Sequence, residues 1–167
     1  MSANPQTPAF ADHLRPGRDA APRSGDYAGE RARFRVEARE RYNPVLAIVE
    51  SWAREDPQAP AVLSLDAAGE IVAEQTAADL AAASRKAARA LLAAGIGKGD
   101  RVFVMLGRVP AWHAAMLGAM RIGAVPMPGP NLLTPKDIAD RLTRAGAKAA
   151  ITDTAGAEKV DATGVEL

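Results

Sequence analysis

The 167 residues are 48% apolar, enough to bury one core of ordinary size, and the 21 basic against 20 acidic side chains leave a formal charge of +1. So even a balance excludes a protein that grips a phosphate backbone, and nucleic acid is not an expected partner. The absence of cysteine rules out a disulfide framework, a thiolate metal site and a cysteine nucleophile, and the two histidines, His13 and His113, are too few for a histidine zinc site.

Residues 1–26 mix Pro, Ala, Gly and isolated charges without periodicity and are expected to form a mobile leader. The leader has no apolar stretch of the kind an export signal needs. No run of about 18 apolar residues follows anywhere, so no membrane span is expected and the cytoplasm is the expected compartment. Residues 27–43 read as a charged arm in which a helix is allowed, with Glu37 and Arg41 placed for an i,i+4 pair. A partial domain is expected over residues 44–167. Asn43 can cap a helix with Pro44 in its first turn, and Leu46, Val49, Trp52 and Ala53 follow at helical spacing, with Trp52 as a core anchor. Ala61 to Leu65 and Glu70 to Gln75 flank Asp66-Ala67-Ala68-Gly69, which predicts a hairpin with a four-residue loop. Thr76 and Asp79 then make a capping-box pattern for a helix whose apolar face is Leu80, Ala83, Ala87, Leu91 and Ala94. Arg85, Lys86 and Arg89 lie opposite as a solvated face, and Gly95 ends the helix.

The stretch from Gly99 to Pro130 is the centre of the chain. Val102 to Leu106 is an unbroken apolar run, which suits a parallel strand covered on both faces. Pro110 opens a helix of Ala, Met and Leu whose polar residues are His113 and Arg121. Gly123 ends it, and Ala124 to Met127 supplies a second strand. In such a βαβ unit ligands collect at the carboxyl ends of the strands, here Gly107-Arg108 and Pro128 to Asn131. Thr134, Pro135 and Asp137 then start a further helix with Ile138, Leu142 and Ala145 as its buried stripe and Gly146 as its stop. Lys148 to Thr152 is a third short strand, while residues 153–167 commit to no further strand. The fold class is α/β: an incomplete layer of parallel strands in βαβ connection, joined to a hairpin.

The residues alone assemble no complete active site. Gly95-Ile96-Gly97-Lys98-Gly99 comes closest to a phosphate-cradling loop, but it lies between a helix and a strand rather than after a strand and before a helix. Ser51, Ser64 and Ser84 sit inside regular elements without a glycine elbow, and His113 in the first turn of an apolar helix reads as structural. Glu55-Asp56 and the pair Asp137 and Asp140 read as helix ends and solvated faces.

A series of short motifs runs through the centre of the chain: Gly99-Asp100-Arg101-Val102, Arg108-Val109-Pro110, Trp112, Leu117-Gly118, Arg121, Gly123-Ala124, Pro128-Gly129, and Lys136-Asp137-Ile138 with Arg141 after it. On these residues the chain from Phe34 to Asp161 resembles the amino-terminal portion of the AMP-forming acyl-CoA synthetases, within the adenylating enzymes, and in particular their medium-chain group. Ala111 departs from the family's usual acid, and Ala77 from a frequent aromatic. Leu132 stands where some members have a Gln that the family would link to the CoA channel. The resemblance implies a large amino-terminal domain of an enzyme that adenylates a carboxylic acid with ATP and Mg2+ and passes the acyl group to CoA. It also implies that Arg108, Gly129, Asn131 and Leu132 line part of the acyl/CoA pocket.

The family's Ser/Thr/Gly-rich phosphate loop ending in Lys has no counterpart here, and its ribose and Mg2+ acids, hinge and late catalytic Lys belong to downstream sequence. The expectation is therefore a truncated or partial synthetase with no catalytic residue, cofactor-binding residue or metal ligand of its own. The alternative is a non-catalytic α/β interaction or regulatory module of the same ancestry. An aryl-CoA ligase or an acyl-adenylate ligase is the alternative substrate class.

Overall fold

The structure, a computed structural model, describes residues 27–34 and 41–167. The chain divides into two units, Met1–Tyr42 and Asn43–Leu167. Within the first, helix α1 spans Tyr27–Arg33 and places Arg31 and Arg33 in its last turn, where cations complement the negative end of the helix. The leader expected over residues 1–26 and the Glu37 half of the expected ion pair lie outside the described residues.

The second unit opens with Asn43, whose side-chain oxygen accepts from the amides of Val45 (3.0 Å) and Leu46 (3.3 Å). The cap is where the sequence places it, but the turn behind it is wider than an α turn. Val45–Val49 is π-helical, closed by the Glu50 amide donating to the Val45 carbonyl, and only then does helix α2, Glu50–Glu55, begin. The wide turn shifts the apolar stripe. Val45 is fully buried, and Leu46, expected in the core, is 49% exposed. Trp52 is half-buried and belongs to neither of the two core clusters, so it is not the anchor its size suggests.

Strands β1, Pro60–Leu65, and β2, Ile71–Thr76, pair antiparallel as expected. Asp66 organises their loop: its carboxylate takes the amides of Ala68 and Glu70, both at 2.9 Å, and Gly69 adopts φ 87°. Helix α3, Ala77–Ala93, starts on the full Thr76–Asp79 capping box. Its buried face is Ala77, Ala81, Ser84, Ala88 and Leu91, which shares Leu91 with the expected face and otherwise lies one position round from it. In a helix this rich in alanine two adjacent stripes are almost equally apolar. The inner one contains Ser84, whose buried hydroxyl donates to the Ala81 carbonyl at 2.8 Å and so enters the core satisfied.

The remaining elements are β3 (Arg101–Met105), α4 (Pro110–Arg121), β4 (Val125–Pro128), α5 (Pro135–Ala145), β5 (Ala147–Thr152) and α6 (Thr154–Asp161). The three strands form a parallel sheet in the order β4-β3-β5. Central position explains the unbroken apolar run of β3, since Val102 to Met105 are at most 1% exposed. Val102 and Val104 pack on one face with Leu91, Ile96, Ala115, Met116 and Ala119, whereas Phe103 and Met105 pack on the other with Ile138, Leu142 and Val160. Helix α6 is an element the sequence reading did not assign. Asp153 caps it by accepting from the Gly156 amide at 2.8 Å.

The Gly-Asp-Arg-Val motif belongs to this scaffold. The Asp100 carboxylate accepts from the Gly97 amide (2.8 Å) and pairs with Lys148 (3.0 Å). The Arg101 guanidinium donates to the carbonyls of Ala145 (2.7 Å), Gly146 (2.6 Å) and Gly99 (2.9 Å), tying the end of α5 to the start of β3. All of this lies at the amino ends of the strands, which leaves their carboxyl ends to the loops.

Candidate functional site

The carboxyl ends of β3 and β4 carry the four residues singled out from the sequence. Gly129 leaves β4 with its amide donating to the Val104 carbonyl at 2.9 Å. A Cβ there would stand 2.6 Å from the Phe103 ring and 3.1 Å from Leu133, so the backbone lies directly on the core and only glycine fits without displacement. Next comes a turn, closed by the Leu133 amide donating to the Pro130 carbonyl at 3.2 Å, which holds Asn131 and Leu132 outward. Leu132 is 92% exposed. The loop after β3 runs alongside: a Cβ on Gly107 would be 3.8 Å from the Asn131 side-chain amide nitrogen. Arg108, next in sequence, is exposed and makes no hydrogen bond or ion pair among the described residues. The structure thus brings Gly129, Asn131 and Gly107 together and leaves Arg108 and Leu132 as a free cation and a free apolar side chain on the same two loops.

One residue of this place had no sequence signal. The Lys159 ammonium, on α6, donates to the carbonyls of Asn131 (2.6 Å) and Leu133 (3.3 Å), 28 and 26 residues away in the chain. Such a contact has no local pattern. The capping motif of α6 would have been the only hint that a lysine there faces inward.

The polar side chains at the end of β5 are engaged locally. Asp153 is engaged as a cap, and the Thr152 hydroxyl donates to the Asp153 carbonyl. His113 packs edge-on against Trp112 with ring centroids 5.2 Å apart. The glycine-rich turn before β3 does not fit a nucleotide phosphate, because the Gly97 amide is held by Asp100 and the Gly99 amide by the Gly123 carbonyl. Among the described residues no three His, Cys, Asp or Glu side chains are grouped to hold a metal ion.

A second polar cluster joins α2, α3 and α4. Glu50 accepts from Arg85 at 2.7 and 3.0 Å and from Arg121, whose guanidinium also donates to the Ser84 hydroxyl at 2.9 Å. Arg85 is thus an ion-pair partner rather than a purely solvated charge. Burial raises the Glu50 carboxyl, but the hydrogen bonds and charges of Arg85 and Arg121 together outweigh it and hold the group below the usual carboxylate range. Asn43 completes the joint by donating to the carbonyls of Met120 (3.2 Å) and Arg121 (3.0 Å) at the end of α4. The cluster clamps the three helices together, with the buried Arg121 Nε left without a hydrogen-bond partner.

Comparison with known proteins supplies the context. The AMP-binding enzyme family matches residues 49–166. The mitochondrial acyl-coenzyme A synthetase ACSM3 of Mus musculus is 34% identical over 152 residues, covering 87% of this chain and 26% of the mouse protein. A crystal structure of Brucella canis acyl-CoA synthetase superposes with a TM-score of 0.70 at 28% identity, over 81% of this chain and 26% of that one. The N-terminal domain of FACL13 from Mycobacterium tuberculosis superposes with a TM-score of 0.63 at 25% identity, over 71% of this chain and 29% of that one. The chain spans about a quarter of the length of the curated relatives it matches.

Proposed function

The chain belongs to the AMP-binding enzyme family, and on that premise we propose that it forms the early α/β part of an ATP-dependent acyl-CoA synthetase. The reaction joins a carboxylic acid to the thiol of CoA through an acyl-adenylate, with release of AMP and pyrophosphate. ATP, Mg2+ and CoA are the cofactors the family implies. This segment contributes the sheet that holds the site and one wall of the acyl/CoA pocket. Gly129 lets the backbone lie flat on Phe103, Asn131 offers an amide to polar atoms, Leu132 offers an apolar contact to a chain, and Arg108 offers a cation to an anionic group of the incoming substrate. The carboxyl ends of parallel strands are where α/β sheets bind ligands.

A single observation supports the wall-only role: the backbone amides of Gly97 and Gly99, the chain's nearest approach to a phosphate loop, are already bonded to the protein. The 167 residues by themselves then bind no ATP phosphate and form no acyl-adenylate. Pyrophosphate exchange into ATP, measured on the purified chain with and without a medium-chain or aryl acid, is expected to stay at background. Exchange that depends on the acid would overturn this reading. Titration with CoA alone tests the pocket wall, with backbone shifts at Asn131 and Leu132 as the expected response.

A further inference from the structure

We propose that Lys159 is a positioning residue that sets the place of the Pro130–Leu133 turn, and with it the width of the gap between Asn131 and the Gly107-Arg108 loop. The value of that gap to catalysis rests on the pocket-wall reading above, whereas the strap itself stands on geometry. Three of the four candidate residues, Gly129, Asn131 and Leu132, belong to this turn or its entry. The entry is fixed by the Gly129 amide on Val104 and by contact with Phe103. Beyond it the turn closes on itself through a single bond, Leu133 amide to Pro130 carbonyl, at 3.2 Å. Such a bond in an exposed turn does not by itself hold a loop against the sheet, because it orders the four residues relative to each other and not to the rest of the fold.

Leu133 packs on the core cluster at the exit of the turn, and Lys159 adds a polar reference that reaches its middle. Its ammonium takes the carbonyl of the turn's central peptide, at Asn131, and the exit carbonyl, at Leu133, both from the neighbouring helix. A charged donor makes such bonds stronger than neutral ones. The base of the strap is rigid: α6 is capped by Asp153, and Val160, the next residue, is buried with Phe103, Met105, Ile138 and Leu142. Phe103 therefore supports Gly129 from beneath while packing in the same cluster as Val160, so the fixed end of the turn and the base of its strap share one core. Two of the three ammonium protons are used on the turn, which leaves the third for solvent or for a bound group.

Amide hydrogen exchange on the intact 167-residue chain tests the strap directly. In Lys159→Met the Leu133 amide is expected to exchange at least tenfold faster than in the wild type, while the amides of Leu142 and Val104 keep their rates. Lys159→Arg, which retains a cation with several donors, is expected to restore protection at Leu133. Two results would overturn the proposal: a wild-type Leu133 amide that already exchanges at the unprotected rate, or equal acceleration at Leu133, Leu142 and Val104 in the Met variant, which would make Lys159 a general support of the fold. Titration with CoA separates this from the pocket reading. Loss of turn protection in a chain whose Asn131 and Leu132 never respond to CoA would leave the strap standing and remove the pocket wall.

Discussion

Gly129 shows how one residue couples core to mouth. Its backbone rests on Phe103, so Gly129→Ala must push the ring or the turn aside, and overpacking of this kind costs roughly 1–3 kcal/mol. Chemical denaturation is expected to show that loss together with shifted resonances for Asn131 and Leu132. Glu50 is the comparable residue on the far side of the helices. Its side chain is 22% exposed and that of Arg121 13%. Glu50→Gln would leave the Arg121 guanidinium short of a counter-charge, at a cost of roughly 1–3 kcal/mol, below the value for a fully buried pair. The pH dependence follows from the direction of the shift. A carboxyl held below its ordinary value of 4.5 adds stability above that pH and loses it as pH falls through its lowered folded value. The stability gap between wild type and Glu50→Gln is therefore expected to be full at neutral pH and to close under acid conditions below 4.5. A gap that persists unchanged in acid would show that packing, not charge, joins the helices there.

Elements formed where local chemistry says they should. The capping boxes of α3 and α5, the proline at the first position of α5 and the left-handed Gly146 after it are all read from adjacent residues and all present. Thr134→Ala removes the acceptor for the Asp137 amide and the donor to the Asp137 carboxylate, so it is expected to cost about 1 kcal/mol. A thermal melt that does not move would mean that α5 is held by Ile138 and Leu142 alone. Where elements were misread, a physical competitor explains it. The π turn at Val45–Val49 exchanges Leu46 for Val45 in the core, and the alanine-rich α3 has two nearly equal apolar stripes, of which the inward one carries Ser84 with its hydroxyl satisfied within the helix. The eight residues of α6, with a single strongly apolar side chain, carry almost no periodicity.

At the scale of the larger unit, Asn43–Leu167, the three-stranded sheet in the order β4-β3-β5 lies between the two apolar clusters and puts the candidate loops at the carboxyl ends of β3 and β4. Background pyrophosphate exchange by the purified chain is the expected outcome at this scale. Among the described residues no helix is long and apolar enough to cross a membrane. The class of fold, the hairpin, the strand-end loops with Arg108, Gly129, Asn131 and Leu132, and the family were legible in the sequence alone. Each depends on residues that are neighbours in the chain: a turn, a cap, an apolar run, a motif. Three features needed the tertiary structure: the reach of Lys159 to the Asn131 turn, the Glu50 clamp on Arg85 and Arg121, and the use of Arg101 to close α5. Each joins side chains and carbonyls 26 to 71 residues apart. No local propensity encodes such contacts, because they exist only once the burial of β3 between its two apolar clusters has set the helices in place.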